Sequence, residues 1–290
     1  MNLWERFSRI IYRAAASPFL KQYRKRSIES VLQKSTTIIN VDIQDEIKKY
    51  LLRSFTKYGG FADRGGKTDI YYTLFGCFVA EALSIKEVFP QLKTFVKKSV
   101  EEESLSGINL FSVAILYAKL FVVDSNTLRL RKLVGDELAK AKNQEYFNFI
   151  GLLTLYYLED YRNLLKLRKR LKARSNQSDI PCSMAAAEAV ISKVLDRSTN
   201  NAEEKLKTFY RENGGFVALQ KAPVTDLLST AVALYALQFV DGDIKEIKPD
   251  CLTFVDGLYL NGGFRATDLD YDIDIEYTFY GLLALGALSE

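Results

Sequence analysis

Tyr58-Gly-Gly-Phe61 followed by Asp69-Ile-Tyr-Tyr-Thr73 decides the fold, because the same pattern recurs twice further along the chain. The second copy is Asn213-Gly-Gly-Phe216 with Asp226-Leu-Leu-Ser-Thr230, and the third is Asn261-Gly-Gly-Phe264 with Asp274-Ile-Glu-Tyr-Thr278. Each copy reads GGF, a loop and then DxxxT. Self-similarity of this kind is typical of a repeat architecture, in which each copy is one structural unit.

Each copy predicts the end of one helix and the start of the next. Paired glycines stop a helix and allow a positive φ, and the phenylalanine after them can anchor the loop on the core. The aspartate stands where an N-cap carboxylate accepts hydrogen bonds from the first free amides of a helix. Small and apolar residues follow, at 74–83, 231–237 and 279–288. A helix that is apolar on nearly all sides is expected to be buried on all sides.

The alternation of charged and apolar helices continues between the copies. Apolar helices are predicted to begin near Thr68, Gly107, Gln144, Cys182, Thr225 and Asp274. A charged, amphipathic helix precedes each of them, at about 41–57, 86–102, 125–142, 158–173, 199–213 and 242–260. These six hairpins predict an all-α protein. Because the inner helices are too apolar to face water, we expect them to close into an inner ring, which makes the fold an (α/α)6 barrel or toroid. We assign residues 39–290 to the barrel and residues 1–38 to a basic amphipathic N-terminal segment.

The repeat resembles the one shared by protein prenyltransferase β subunits and class II terpene cyclases of the squalene cyclase type. Residues 59–73, which read GGFADRGGKTDIYYT, are most similar to the prenyltransferase pattern GGxxDxxGKxxDxYHT. The general architecture covers residues 40–290. The resemblance implies an α/α toroid with a central cavity for an isoprenoid, such as a prenyl diphosphate.

The zinc ligands of the prenyltransferases are missing from this sequence. In that family an Asp and a Cys two residues apart, together with the His of a YHT sequence, hold a zinc ion that activates a thiolate. Here Asp69 is followed by Tyr71 at the cysteine position, Tyr72 replaces the histidine, and the chain contains no histidine at all. We therefore do not expect zinc, nor a hydrolytic triad with a histidine base.

Five carboxylates crowd into nine residues of the last copy. They are Asp268, Asp270, Asp272, Asp274 and Glu276. Like charges this close raise the pKa values of some of these carboxyl groups. The cyclases protonate their substrate with an Asp of a DxDD motif, whereas this sequence has DxD and never DxDD. By this resemblance the candidate catalytic acids are Asp272, Asp274 and Glu276. Oxygen ligands also suit Mg²⁺, for which Asp268, Asp270 and Asp272 are the candidates. A third interpretation is a solvated acidic loop before a helix that Asp274 caps.

A basic loop and several aromatic residues indicate where a ligand would bind. Arg64 and Lys67 flank two glycines just before a helix N-terminus, a combination suited to a phosphate or diphosphate. The resemblance implies that such basic loop residues bind a prenyl diphosphate. Asp69 stands at the family's spacing from Arg64 and Lys67. The candidate aromatic ligand-binding residues are Tyr71, Tyr72 and Tyr277, whose π faces can stabilise a cation. An ordinary charged loop and simple core packing are the alternatives.

Composition limits the partners and the location. The 40 basic and 36 acidic residues give a net charge of only +4 and no nucleic-acid motif is present, so no nucleic-acid partner is expected. No apolar run approaches the ~20 residues that span a membrane, and no secretion signal is visible, so a cytoplasmic location is expected. Basic and apolar residues interleave at helical spacing over residues 1–26, which fits peripheral contact with an anionic membrane surface or a helix packed across the barrel.

Two functions are compatible with these features. The first is a barrel that binds an isoprenoid or other apolar ligand in an aromatic-lined cavity, with or without chemistry on it. The second is a non-catalytic scaffold with a protein partner on the outer ring, since the zinc ligands are gone and a fold does not fix a function. An open cavity of roughly a few hundred Å³ would favour the first, and a cavity filled by side chains the second.

Overall fold

The computed structural model describes residues 3–102, 105–140, 145–171 and 180–289. Within these ranges the protein is predominantly helical, as predicted, and its short strands lie in loops. The helices are α1 (Leu3–Lys25), α2 (Ile28–Ile38), α3 (Val41–Ser54), α4 (Ile70–Ala82), α5 (Phe89–Val100), α6 (Gly107–Leu120), α7 (Ser125–Lys140), α8 (Glu145–Tyr157), α9 (Tyr161–Leu171), α10 (Cys182–Val194), α11 (Ala202–Lys207), α12 (Leu227–Phe239), α13 (Lys248–Gly257) and α14 (Ile275–Leu288). The strands are β1 (Phe216–Val217), β2 (Thr225–Asp226), β3 (Tyr259–Leu260), β4 (Gly263–Arg265) and β5 (Ile273–Asp274).

The even-numbered helices from α4 to α14 are the apolar members of the alternation, and we call them the inner helices. Each begins within two residues of its predicted start. The inner helix α14 is buried along almost its whole length, whereas the charged helix α3, which precedes α4, buries Ile47 and Leu51 on one face. The difference follows from composition, because a helix with charged residues on one side can bury only the other side.

Two outer helices, α11 and α13, fall furthest short of their predicted ranges. Helix α11 covers Ala202–Lys207 instead of 199–213, and α13 covers Lys248–Gly257 instead of 242–260. Just beyond each helix the chain becomes extended, where Tyr210 forms an antiparallel bridge with Phe216 and β3 pairs with β4. A residue in such a pairing cannot also make helical hydrogen bonds, so each helix ends before it.

The inner helices contact one another in a cycle. Helix α4 contacts α6, followed by the pairs α6 and α8, α8 and α10, α10 and α12, α12 and α14, and finally α14 and α4. The last hairpin also reaches the first outer helix, since the Tyr259 hydroxyl donates to Glu46 Oε2 at 2.5 Å and the Tyr50 hydroxyl donates to the Ile273 carbonyl at 3.3 Å. Each inner helix therefore has an inner neighbour on both sides.

The aspartates and glycines of the repeat have their predicted roles. Asp69, Asp226 and Asp274 are N-caps whose carboxylates accept from amides in the first turn of α4, α12 and α14. The first glycine of each pair has a positive φ, between 89° and 94°. Both signals are local, and both place the start of an inner helix.

The threonine of each copy fastens the loop to the following helix, a role that sequence analysis did not assign. Its hydroxyl accepts from the amide of the GGF phenylalanine, at 2.9 Å for Thr73 and for Thr230 and at 3.4 Å for Thr278. The same hydroxyl donates to the carbonyl of the aspartate four residues earlier. All three phenylalanine rings are buried, as predicted. We call this arrangement the clasp.

The N-terminal segment packs on three inner helices and on the outer helix α9. Helix α1 contacts α9 and α10, and α2 contacts α14 and α4. Ala16, Leu20 and Tyr23 are buried by this packing, whereas Ile10 and Ile11 are exposed. The side chains of residues 1–9 lie outside the described part of the chain. Among the described residues, no helix has the length and hydropathy needed to cross a membrane.

Candidate functional site

A cavity of about 240 Å³ lies among the inner helices. All six inner helices contribute to its wall, and Ile28 of α2 joins them. The wall is mostly apolar, and its aromatic side chains are Tyr71, Phe75, Phe78, Phe149, Tyr235, Phe279 and Tyr280. Since an apolar cavity of about 150 Å³ suffices to bind benzene, this one has room for a larger hydrocarbon group.

The first turns of α4, α12 and α14 lie together at one end, which we call the mouth. The Tyr71 hydroxyl of α4 donates to Glu276 Oε1 of α14 at 2.8 Å. The amide of Leu227, at the start of α12, donates at 2.9 Å to the carbonyl of Ala266 in the loop before α14. The loops of the first and last copies therefore meet, although about 200 residues separate them in the sequence.

Arg64 joins these two loops. Its Nε donates to Asp274 Oδ2 at 2.5 Å and its Nη2 donates to Asp270 Oδ2 at 2.9 Å. The guanidinium also lies 5.3 Å from the centre of the Tyr277 ring. Burial alone would lower the pKa of Arg64, but the two carboxylates raise it above its ordinary value. The structure thus brings together four of the residues that the sequence singled out.

Glu276 lies one hydrogen bond from the cavity wall, because its partner Tyr71 lines the cavity. Burial, assisted by the nearby carboxylates of Asp274 and Asp69, outweighs the opposing effects of Tyr71 and Arg64 and raises the pKa of Glu276 to about 7. A carboxyl group that keeps its proton near neutral pH can donate that proton or a hydrogen bond to a bound molecule. Among the three candidate acids, Glu276 has the surroundings that suit this role.

The other two candidate acids have different surroundings. Asp274 accepts from the Tyr277 amide through Oδ1 and from Arg64 through Oδ2, so both of its oxygens are already engaged by this helix cap and this salt bridge. Asp272 is exposed on the loop before β5. The structure therefore does not support either residue as an acid directed at the cavity.

The remaining candidate ligand-binding residues are also near the mouth or on its loops. Asp69 caps α4 by accepting from the amides of Tyr71 and Tyr72. Lys67 is exposed, and its amide donates to Asp63 Oδ1 at 2.9 Å. Tyr72 and Tyr277 are half-buried, and burial together with neighbouring carboxylates raises the pKa of each to about 12. Both phenols therefore stay protonated and can donate hydrogen bonds at neutral pH.

The three candidate Mg²⁺ ligands have different surroundings; they are Asp268, Asp270 and Asp272. Among the residues that the structure describes, no group of three or more His, Cys, Asp or Glu is arranged to hold a metal ion. Asp268 and Asp272 are exposed, while Asp270 binds Arg64 and accepts from the Asp272 amide at 3.1 Å. Arg64, which lies 206 residues away in sequence, therefore engages the central carboxylate of the three.

The opposite end of the cavity, which we call the floor, contains a buried ion cluster that sequence analysis missed. The Lys119 side chain is 8% exposed, and its Nζ lies 2.7 Å from Glu29 and 2.8 Å from Glu81. Nζ also lies 4.6 Å from the centre of the Phe78 ring, and the Tyr157 hydroxyl donates to Glu29 at 2.7 Å. Burial alone would lower the pKa of Lys119, but both carboxylates raise it, so the lysine stays charged. A single lysine within the apolar helix α6 was the one signal available in the sequence.

Comparison with known proteins does not assign the chain to a family. No family model matches it, and no curated protein matches it. The proposals below therefore rest on the geometry of the cavity and its mouth, with the resemblance of the repeat as a separate expectation.

Proposed function

We propose that this chain is an (α/α)6 toroid that binds an isoprenoid or another apolar ligand in its central cavity, without zinc. The cycle of contacts among the inner helices supports the toroid. The apolar, aromatic wall of the cavity is the observation that carries the function. Ligand sites are concave and mostly apolar, with a few polar groups that fix orientation, and here Tyr71 and Glu276 supply such groups at the mouth.

Stability considerations favour this function over that of a pure scaffold. An apolar void inside a core costs stability in proportion to its volume, because the atoms that line it lose contacts. A barrel kept only as a rigid platform would gain stability if side chains filled the cavity. The wall of α10 instead presents the small side chains of Ala186 and Ala187. For any proton transfer to the ligand, we propose Glu276 as the donor.

A cavity-filling variant tests the proposal. We expect farnesol to raise the melting temperature of the unmodified protein, because burial of its chain adds binding free energy that only the folded state gains. Ala187→Phe places a ring in the cavity and should remove most of that increase. Ala139→Phe, the same substitution at an exposed position of α7, should keep it. Differential scanning calorimetry with and without ligand gives the comparison.

Absence of any melting shift with farnesol and with prenyl diphosphates would contradict ligand binding. It would favour the alternative function, a scaffold whose protein partner binds the outer ring. A contact between residues 1–26 and an anionic membrane surface is a separate proposal, supported by the exposed Ile10 and Ile11 of α1.

A further inference from the structure

We propose that the cavity accepts ligands whose head group is uncharged or positively charged, and that the mouth rejects a diphosphate or any other anion. This inference rests on the proposed ligand-binding function and specifies the class of ligand. It reverses the expectation that Arg64 and Lys67 bind a prenyl diphosphate.

Carboxylates outnumber cations around the mouth. Among the described residues, the acidic ones there are Asp63, Asp69, Asp226, Asp270, Asp274 and Glu276, and the basic ones are Arg64, Lys67 and Arg265, whose Nη1 donates to the Asp270 carbonyl at 3.5 Å. The carboxylates are close enough to influence the groups nearest the cavity, since Asp274 and Asp69 disfavour the charge on Glu276, and Glu276 and Asp226 disfavour a charge on Tyr277. An incoming anion would meet the same repulsion.

The helix N-termini at the mouth are already occupied. A free N-terminus usually attracts anions, because its first amides lack partners and its dipole is positive. Here the carboxylates of Asp69, Asp226 and Asp274 accept from those amides in α4, α12 and α14. The Gly107 amide at the start of α6 likewise donates to Glu137 at 2.9 Å. These ends therefore present carboxylate oxygens where a diphosphate would otherwise bind.

The charge of Arg64 is already compensated. Two carboxylates, those of Asp270 and Asp274, accept hydrogen bonds from its guanidinium. A diphosphate that bound the remaining N–H groups of Arg64 would bring its own negative charges close to both carboxylates and to Glu276. Displacing Asp274 instead would be costly, because its side chain is 4% exposed and also caps α14. Lys67 is exposed, so water and salt screen its charge.

The same groups suit a neutral or cationic head. The Tyr71 hydroxyl and the Glu276 carboxyl meet at the cavity wall, where they can exchange hydrogen bonds with an alcohol. An ammonium group would ionise Glu276 and pair with it, and it would also gain from the π faces of Tyr71 and Tyr277. The apolar chain would extend toward the floor along Phe75 and Phe279.

Three compounds with one hydrocarbon chain test the inference by isothermal titration calorimetry: farnesol, farnesylamine and farnesyl diphosphate, each with and without added Mg²⁺. We expect the alcohol and the amine to bind, and the diphosphate to bind at least about tenfold more weakly than either. Glu276→Gln should weaken farnesylamine about tenfold and change farnesol by less than about threefold, because only the amine needs the negative charge. Asp256→Asn, an exposed position on α13, is the matched control and should change neither.

The outcomes separate this inference from the proposed function. Tighter binding of farnesyl diphosphate than of farnesol, with or without Mg²⁺, would overturn the inference while supporting the apolar cavity as a ligand site. An unaltered affinity of Glu276→Gln for farnesylamine would also overturn it. Failure of all three compounds to bind would contradict the proposed function itself, and the inference with it.

Discussion

At the scale of single residues, Glu276 occupies a place where its negative charge is unfavourable. Burial, Asp274 and Asp69 raise its pKa from an ordinary value of 4.5 to about 7. Between these two pH values the folded protein holds a proton that the unfolded chain has released. The free energy of unfolding therefore falls as pH rises through this window. Above the pKa of the folded state, the whole decrease in the free energy of unfolding is present.

Replacement of Glu276 by glutamine tests this cost directly. Glutamine keeps the shape and can still accept the Tyr71 hydrogen bond, but it never ionises. We expect Glu276→Gln to stabilise the protein by about 3 kcal/mol at pH 8 and to have little effect at pH 4.5. Urea denaturation across this range measures the difference. The exposed Glu246→Gln serves as the control, and a stability difference that does not vary with pH would show that Glu276 ionises normally in the folded protein.

At the scale of elements, the clasp explains why the repeat ends in threonine. The Thr230 hydroxyl accepts from the buried Phe216 amide and donates to the Asp226 carbonyl, and the side chain is fully buried. We expect Thr230→Val to cost about 1–3 kcal/mol, because it leaves the Phe216 amide without its partner. Thr230→Ser should recover most of the loss.

Thr253→Val is the control, because the exposed Thr253 hydroxyl donates to the Pro249 carbonyl of its own helix. An equal loss of stability at both positions would rule out the clasp as the cause.

Element boundaries and the mouth differed in how far they could be predicted. The starts of the inner helices were predicted closely, because N-caps and glycine turns act between residues that are near in sequence. The pairing of Arg64 with Asp270 and Asp274 spans more than 200 residues, and no local pattern encodes it. The same holds for Lys119 with Glu29 on the floor. Most of the chemically important residues at the mouth could therefore be predicted from the sequence, but the carboxylate partners of Arg64 could not.

At the scale of the whole molecule, two sets of contacts decide whether the hairpins enclose a volume. One joins the last hairpin to the first outer helix through Tyr259 with Glu46 and Tyr50 with Ile273. The other places α2 across the floor, where Glu29 binds the buried Lys119 and Ile28 reaches the cavity. The first set holds the last hairpin beside the first one, where α14 also contacts α4. The second adds Ile28 of α2 to the apolar wall.

Gly262 provides the sharpest test of the contact between the last hairpin and α3. Its φ is +94°, and a Cβ there would lie 2.5 Å from the Glu46 carbonyl oxygen, whereas Gly66, with a φ of +76°, has nothing within 4 Å. We expect Gly66→Ala to cost about 1–2 kcal/mol through backbone strain alone. Gly262→Ala should cost at least about 1–3 kcal/mol more, because α3 must also move away. Denaturant unfolding of both variants measures the difference, and equal losses would mean that the last hairpin does not rest on α3.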